Sequence, residues 1–354
     1  MRWLSVVGWL SVGHGAPSSP PFSRREKGVD SPSPREKVVG VRARLFRREK
    51  VLLSPSPCGR GVGVRAAVAV LALSVQPALA VEVVDDLGTK VHLKAAAQRI
   101  VSLAPHVTEM LYAAGAGARV VGAVSYSDFP QEAKRLPRVG SYNRPDLEAI
   151  VALKPDLIVG WRSGNPPATL ERLEALGFAV YRTEPRELED VARDLERLGQ
   201  LAGSEKAARI AAADFRKRLG ALKARYASAA PVPMFYEIWN QPLMTVNGEH
   251  LISKVMALCG GVNIFGDLAI LAPKVEVEAV LKADPEAIVA SGMGEARPEW
   301  LDDWRKWPSL RAARRNQLYF IPPDIMQRHT PRILDGAERL CGALEEVRAG
   351  REKE

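Results

Sequence analysis

The sequence predicts an α/β protein built from two similar lobes that a long helical segment joins. Three observations support this fold class. Short β-branched strands alternate with helical segments, which is typical of parallel sheets covered on both faces. A helical stretch rich in Leu, Ala, Arg and Glu, 187–227, separates two such blocks, with Gly203 and Ser204 as a candidate break. A segment of the first block also recurs in the second.

The repeated segment consists of residues 148–160 (EAIVALKPDLIVG) and 278–290 (EAVLKADPEAIVA), which align at a constant offset of 130. In each copy a short amphipathic helix ends near a proline, and a buried strand begins just after it. Two copies predict two similar lobes. Two lobes joined by a stiff element enclose a cleft, which is a common place for a ligand.

The first block predicts its elements in chain order. They are strand 99–104, helix 108–114, strand 119–124, loop 125–130, helix 147–153, strand 157–161, helix 169–176 and strand 179–182. Gly115 and Gly117 follow the first helix and lack the third glycine of a dinucleotide fingerprint, so we interpret them as a helix end. In the second block we predict a last strand, 318–321. Three tryptophans there recur at helical spacing and predict a face packed on the core: Trp300, Trp304 and Trp307.

The net charge of +9 belongs to the N-terminal part of the chain. Residues 1–80 contain 13 Lys and Arg against 4 Asp and Glu, and the remainder contains 37 residues of each sign. The body therefore lacks the basic excess that nucleic-acid binding requires, and we expect no nucleic-acid partner.

The end of this basic part is typical of a secretory signal peptide. Arg65 precedes the apolar run 66–75, and the sequence 76–80 ends in Ala-Leu-Ala, which predicts cleavage after Ala80. The run is shorter than the roughly 20 residues that span a bilayer, although a buried helix is the alternative. No cysteine follows it, so we expect no lipid anchor.

Residues 1–63 contain three motifs that each recur with a shift of 23 residues, such as the two RREK strings. This Ser/Pro/Arg-rich tract cannot form a core. We interpret it as translated repetitive DNA upstream of a start at Val62 or Val64, with a basic nucleic-acid arm as the alternative. The predicted divisions are a non-native or disordered extension (1–63), a signal peptide (64–80), an N-terminal lobe (81–185), a connecting helix (186–229) and a C-terminal lobe (230–354).

Several strings resemble the family of periplasmic binding proteins for cobalamin, haem and iron–siderophore complexes, above all its cobalamin-binding members. They are RIVSLAPHVTEMLYAAGAG, VSYSDFP, DLEAIVALKPDLIVGWRSGN, YEIWNQPLMTV and LCGGVNIF. The resemblance covers roughly residues 97–348. It implies the class III periplasmic-binding fold, with two Rossmann-like lobes, a single long connecting helix and little closure on binding.

The resemblance also implies function. We expect a monomeric periplasmic protein that carries a corrinoid, namely cobalamin, as transported ligand to the permease dimer of an ABC importer. We expect no catalytic cofactor and no enzymatic activity, and the sequence has no GxSxG elbow, P-loop or HExxH motif. Haem or an iron–siderophore complex is the alternative ligand, with Tyr142, His106 or His329 as candidate iron ligands. A zinc or manganese receptor is disfavoured because the body has few histidines.

A corrinoid site needs aromatic walls and a few polar groups, and the loops after the lobe strands supply both. The resemblance places these residues in the cleft: Tyr126, Ser127, Asp128, Tyr142, Trp161, Arg162, Trp239, Asp324, Arg328 and His329. For the aromatic residues, packing in the core or on the surface is the alternative. Tyr142 and Leu271 depart from the cobalamin-binding pattern, which has Trp at both positions.

Two further pairs have roles implied by the resemblance. Glu148 and Glu278 correspond to carboxylates that dock on arginines of the two permease subunits; ordinary helix-turn carboxylates are the alternative. Cys259 and Cys341 correspond to a disulfide, which export permits. Two buried thiols or a metal site are the alternatives, although no CxxC or His–Cys spacing supports metal.

Overall fold

Two four-stranded parallel sheets, one in each lobe, organise the chain. The computed structural model describes residues 80–292, 294 and 296–351. All of these belong to one unit, Leu73–Glu354. The N-terminal extension and the signal sequence before Ala80 lie outside the described residues, so their predicted nature stays a prediction.

The N-terminal lobe begins with a β-hairpin and continues as an alternating α/β unit. Its sheet has the parallel strand order β4-β3-β7-β8. The elements are β1 (Val81–Val84), β2 (Lys90–Leu93), β3 (Ile100–Ser102), α1 (Pro105–Ala113), β4 (Val120–Ala123), β5 (Gly140–Ser141), β6 (Arg144–Pro145), α2 (Leu147–Ala152), β7 (Leu157–Trp161), α3 (Pro167–Ala175) and β8 (Val180–Thr183). The hairpins β1–β2 and β5–β6 are elements that the alternation in the sequence did not predict.

The C-terminal lobe repeats this plan. Its parallel sheet has the order β12-β9-β13-β14. The elements are β9 (Val232–Glu237), β10 (Trp239–Asn240), β11 (Leu243–Met244), α6 (Leu251–Leu258), β12 (Gly261–Asn263), α7 (Val277–Ala283), β13 (Ala287–Ala290), α8 (Arg311–Arg314), β14 (Leu318–Phe320), α9 (Pro323–Met326) and α10 (Ile333–Arg351). In each four-stranded sheet, the strand that comes first in the chain (β3 or β9) lies second in the sheet, and the strand that comes third in the chain (β7 or β13) lies beside it. The two lobes are therefore topologically equivalent.

The internal repeat is confirmed at the level of elements. The first copy forms α2 and then β7, and the second forms α7 and then β13. In both copies the helix leads into the strand that lies third in its sheet. The constant sequence offset therefore reflects the same position in two equivalent lobes.

The stretch between the lobes contains two helices, α4 (Leu188–Ala202) and α5 (Glu205–Tyr226). The candidate break at Gly203 is real, since this glycine has a left-handed φ of 63° and ends α4. Because α4 packs against α1 and β1 of the N-terminal lobe, the connection between the lobes is made by α5 alone. Its arginines reach both sides: Arg216 pairs with Glu196 on α4, and Arg218 pairs with Asp335 on α10.

The core has three parts, which follow from the alternation of side chains along each strand. In β7, Leu157 and Val159 face a large cluster that also takes in α4, α5 and α10, whereas Ile158 faces a separate cluster on the outer side. In β13, Val289 faces the large cluster and Ile288 faces a third cluster on the outer side of its own sheet. The shared cluster therefore lies between the two lobes and contains the connecting helix.

The glycine that ends α1 has a structural reason. Gly115 has a φ of 78°, and a Cβ atom built on it would lie 2.6 Å from the Cβ of Ala207 on α5. A residue with a side chain would therefore be strained in its backbone and would also push α5 away. The predicted helix end at this position is confirmed.

The predicted tryptophan face takes a different local form. Trp304 is buried and Trp300 and Trp307 pack partly against the same cluster, as expected. Trp300 and Trp304 lie in a 3₁₀ helix, Glu299–Lys306, and Trp307 is the residue that follows it. The three- and four-residue spacing of the tryptophans predicted a buried face correctly, but it could not distinguish a 3₁₀ from an α helix.

Candidate functional site

The predicted binding residues lie in loops at the carboxyl ends of the strands, where open parallel sheets generally bind ligands. In the N-terminal lobe, residues 126–128 follow β4, and Trp161 ends β7. In the C-terminal lobe, Trp239 follows β9, and residues 324–329 follow β14. The two sets meet through Arg328 and His329, which contact Asp128 and Trp161 of the other lobe; Trp239 contacts only its own lobe among the described residues.

Five rings form a continuous contact between the lobes, which we name the ring cluster: His106, Tyr142, Trp161, His250 and His329. The edge-on contact of His106 and Trp161 has 5.0 Å between ring centroids, and Tyr142 lies 5.8 Å from Trp161. These three belong to the N-terminal lobe. His329 of the C-terminal lobe lies 5.4 Å from His106 and 5.6 Å from His250.

The three histidines of the ring cluster are neutral because they are buried. Burial lowers the pKa of His329 to about 4, with Arg186 as a further cause. Burial, then His329 and Arg186, lower the pKa of His250 to about 3. Burial, then His329 and Arg328, hold the pKa of His106 well below its usual value. A neutral imidazole offers one donor and one acceptor rather than a charge.

Three buried nitrogens of the ring cluster have no hydrogen-bond partner among the described residues. They are Nε2 of His106, Nδ1 of His329 and Nε1 of Trp161. By contrast, Nδ1 of His250 accepts a hydrogen bond from the Ile252 amide at the start of α6. Buried polar groups usually have partners, so these three nitrogens distinguish the ring cluster from ordinary core packing.

Arg328, one of the predicted binding residues, is held by carboxylates. Its guanidinium lies 3.0 Å from the carboxylate of Asp324 in its own lobe and 2.8 Å from that of Asp128 in the other lobe. The contact with Asp128 is an ion pair without the alignment of a hydrogen bond. Its side chain is 12% exposed. Asp128, Asp324 and Arg328 thus form one charge network across the lobe boundary.

A second interlobe contact centres on Glu109 of α1, which sequence reasoning did not identify. Its carboxylate is buried and accepts hydrogen bonds from Thr330 Oγ1 at 2.6 Å and from Arg332 Nε and Nη2, both at 2.7 Å. The Arg332 guanidinium also lies 3.8 Å from the ring centroid of Phe129. Glu109 therefore ties α1 of one lobe to the start of α10 in the other.

The loop after β4 divides into an exposed and a buried part. Tyr126 is 73% exposed and has a φ of 64°. Ser127 is buried, its hydroxyl accepts a hydrogen bond from Thr108, and its carbonyl accepts one from Arg138. Ser127 thus holds the loop in place, and Tyr126 is the member available to a ligand.

The remaining predicted residues differ in exposure. Tyr142 is 38% exposed, and Arg162 is exposed beside Trp161. Trp239 is half-buried in the short hairpin β10–β11, and its Nε1 donates to the Gln241 carbonyl. Leu271 is half-buried, and its carbonyl accepts from the Asn247 amide.

The two predicted docking carboxylates occupy equivalent places. Glu148 lies in the first turn of α2 and Glu278 in the first turn of α7. Both are exposed. Their equivalence follows from the equivalence of the lobes.

A disulfide joins Cys259 to Cys341, with 4.8 Å between their Cα atoms. It ties the end of α6 to the middle of α10 within the C-terminal lobe. The pairing implied by the sequence resemblance is therefore present in the structure.

Within the described residues, histidine, cysteine and carboxylate side chains do not gather in groups of three that could hold a metal ion. The helices in that part of the chain are also too short or too polar to cross a membrane. One groove of about 530 Å³ lies at the start of α2 and is lined by Ser125, Gly140, Ser141, Arg144, Pro145 and Asp146. Another of about 420 Å³ lies against the connecting helix, away from the ring cluster.

Sequence reasoning found the loops but not all of their partners. His250 and Glu109 were missed because nothing local marks them. Glu109 contacts Thr330 and Arg332, on the other side of the connecting helix in the sequence. His250 contacts His329, which lies far from it along the C-terminal lobe. His106 was considered only as a candidate iron ligand. The available signal was the otherwise apolar helix start APHVTEML, which contains His106 and Glu109. Both are buried, and two buried ionisable residues in one short helix are unusual.

Comparison with known proteins places this architecture. The sequence model of the periplasmic binding protein family matches residues 100–325. The chain is 40% identical over 249 residues to the vitamin B12-binding protein of Vibrio cholerae, a match that covers 70% of this chain and 89% of that protein. It is 39% identical over 253 residues to the vitamin B12-binding protein of Photorhabdus laumondii, covering 71% and 90%.

Solved structures agree. The periplasmic vitamin B12-binding protein BtuF of Vibrio cholerae has a TM-score of 0.67 and 39% identity, covering 71% of this chain and 98% of that one. A periplasmic haem-binding protein of Pseudomonas aeruginosa has a TM-score of 0.62 and 27% identity, covering 70% and 92%.

Proposed function

We propose that this chain, which belongs to the periplasmic binding protein family, captures a cobalamin-type corrinoid between its lobes and delivers it to an ABC importer. The observation that carries the proposal is the identity of about 40% to vitamin B12-binding proteins over 249 residues. At that level the likeness extends beyond the fold, whereas the haem-binding neighbour stands at 27%. Its relatives bind solutes, and we propose the same, without catalysis, for this chain.

The cleft residues support a large amphipathic ligand. Trp161, Tyr142 and Tyr126 supply ring faces and edges, the first two within the ring cluster. The unpartnered nitrogens of His106 and His329 are suited to the amides around a corrin rim, because a neutral imidazole can donate to or accept from an amide. We propose that Arg162 and Trp239 complete the rim, and that Asp128, Asp324 and Arg328 keep the lobes in register.

Isothermal titration of the exported protein with cyanocobalamin tests the proposal. We expect saturable binding in the micromolar range or tighter. No heat at micromolar concentrations would remove the corrinoid as ligand. The absorbance of protein purified from cells then discriminates the alternative, since corrin bands support the proposal and a Soret band would replace cobalamin by haem.

We propose that Glu148 and Glu278 dock on the two subunits of the importer's permease. Support comes from their equivalent, exposed positions on separate lobes. Two carboxylates on a rigid frame suit a partner with two-fold symmetry. The reversal Glu148→Arg with Glu278→Arg should abolish binding to the importer and leave cyanocobalamin affinity intact; loss of both would indicate misfolding.

Export is the third part of the proposal. We propose that the chain is cut after Ala80, that residues 1–63 do not belong to the native protein, and that residues 81–185 and 230–354 are the lobes. Residues 186–229 form the connector, in which α4 packs on the N-terminal lobe and α5 makes the link. Strand β1 begins at Val81, which pairs with Leu93 of β2. The proposed mature start therefore coincides with the first paired residue. N-terminal sequencing of the purified protein tests the cut, and a start well before Val81 would overturn it.

A further inference from the structure

The repeat between the lobes extends upstream of the helix–strand element. In each lobe a second carboxylate lies two residues before the proposed docking carboxylate, and a basic residue lies two residues before that. We name these sets the N-motif (Arg144, Asp146 and Glu148) and the C-motif (Lys274, Glu276 and Glu278). Each C-motif residue lies 130 positions after its N-motif counterpart.

The two motifs also match in exposure. Residues 144–150 and 274–280 have the same exposure at every position. The three charged residues of each segment are exposed, the residue after each of them is half-buried, and the seventh residue is buried. Within the described part of the chain, the six charged side chains form no ion pair. Asp146 differs in one respect, since its carboxylate also accepts a hydrogen bond from the Ala149 amide as the cap of α2.

Backbone contacts hold both motifs against their sheets. Arg144 pairs with Ser141 in β5–β6, and the Asp146 amide donates to the Val139 carbonyl. Lys274 bridges Met244, and the Val275 amide donates to the Leu243 carbonyl. The charged side chains therefore project from fixed backbone, so the ordering entropy lost when they bind is confined to the side chains.

We propose that both motifs take part in docking and that each engages one half of a two-fold symmetric permease through all three charges. This proposal rests on the proposed function and deepens it. One copy would be an ordinary exposed charge cluster. Two copies in the same register, with the same exposure on separate lobes, match a partner made of two equal halves.

The order of charges specifies the partner's chemistry. Each permease half presents two cationic side chains to the two carboxylates, and one acidic side chain to Arg144 or Lys274. A lone carboxylate can pair with any nearby cation. A basic–acidic–acidic series is satisfied in one orientation, because a reversed partner would place like charges against each other.

The test measures binding of the exported protein, loaded with cyanocobalamin, to the vitamin B12 ABC importer of the source bacterium in nanodiscs on a sensor surface. Asp146→Asn keeps the helix cap and removes the charge, and Glu276→Gln is its counterpart. We expect each single variant to weaken binding about threefold and equally, and the double variant about tenfold. Arg144→Gln with Lys274→Gln should weaken it to a similar extent. The matched control, Glu171→Gln with Glu299→Gln, removes two other exposed carboxylates and should stay within twofold of the wild type.

The outcomes separate this proposal from the docking of Glu148 and Glu278 alone. If Glu148→Gln with Glu278→Gln weakens binding while Asp146→Asn with Glu276→Gln does not, the extended surface is rejected and importer docking stands. Unequal effects of the two single variants would overturn the two-fold match. Tighter binding of Arg144→Gln with Lys274→Gln would overturn the partner carboxylate. A wild-type protein that does not bind the importer would overturn docking itself.

Discussion

Two of the contacts that join the lobes, the one around Glu109 and the ring cluster, use opposite physics. Around Glu109 the contact is charged, buried and fully paired, with Thr330 and Arg332 as donors. The ring cluster is neutral and leaves three nitrogens without partners in the described structure. A buried charge pair tolerates one geometry, because separating its members leaves an unpaired charge, whereas ring edges can shift by small amounts at little cost. The first set therefore fixes the angle between the lobes, and the second can adapt to a ligand.

The largest expected effect comes from breaking the charged contact. Glu109→Ala leaves the Arg332 guanidinium half-buried without its carboxylate, and removing one partner of a buried pair costs about 3–5 kcal/mol. Urea unfolding of the exported protein measures the loss. Glu82→Gln, which removes an exposed carboxylate paired with Lys90, should change the free energy of unfolding far less than Glu109→Ala does, because solvent screens an exposed pair. Equal effects of the two substitutions would contradict the role assigned to Glu109.

The ring cluster should make stability depend on pH. The pKa of His329 in the folded protein, about 4, lies below its ordinary value of about 6.5. As the pH falls between these values the unfolded chain takes up the proton first, so the folded state loses up to about 3 kcal/mol, with no further loss from this group below pH 4.

Unfolding free energies of the wild type and of His329→Gln, measured from pH 7.5 to 4, test this. The variant should show a shallower decline than the wild type across that window. His92→Gln, which alters an exposed histidine beside Glu82, should retain the wild-type slope. Parallel curves for the wild type and His329→Gln would sink the assignment.

A smaller effect is expected on ligand affinity when the adaptable wall is trimmed. Trp161→Ala removes the ring that contacts both His106 and Tyr142, and we expect cyanocobalamin to bind about tenfold more weakly, since an aromatic contact is worth about 1 kcal/mol beyond its area. Trp161→Phe should lose about threefold. Trp307→Phe, which alters a tryptophan of the third core cluster, should leave affinity unchanged, and titration calorimetry compares the three.

The smallest effect is expected at the partly exposed ion pairs. Asp128 and Asp324 are 42% and 33% exposed, and both face Arg328. Because solvent screens them, Asp128→Asn or Asp324→Asn should each cost less than about 1 kcal/mol of stability. A loss as large as that of Glu109→Ala would mean that the Arg328 network and the Glu109 contact do not differ in strength.

The sequence predicted what depends on periodicity and repetition. Strand β7 was predicted at its observed bounds, Leu157–Trp161, because a short apolar run after a proline has few other interpretations. The equivalence of α2 and α7 followed from the repeated segment. The site residues were predicted by loop and by resemblance and stay a prediction. The structure brings Trp161 and Tyr142 into contact and buries the Ser127 hydroxyl against Thr108.

What the sequence could not predict are contacts between residues far apart in the chain. Glu109 and Arg332 are 223 residues apart, and no local pattern links them. The same holds for His250 and His329, which meet because α6 and the segment before α10 pack side by side. The division of 187–227 into two helices was foreseen only as a candidate break, since a glycine inside a helical pattern is often tolerated.

The connecting helix α5 has a consequence for traffic at the membrane. Its 22 residues span about 33 Å, and the shared core and flanking ion pairs hold it against both lobes. We therefore expect an empty copy to present the N-motif and the C-motif at nearly the same separation as a loaded copy. We expect empty and loaded copies to compete for the same importers, so that uptake depends on the ratio between them, and overproduction of the protein at a fixed supply of ligand should slow transport.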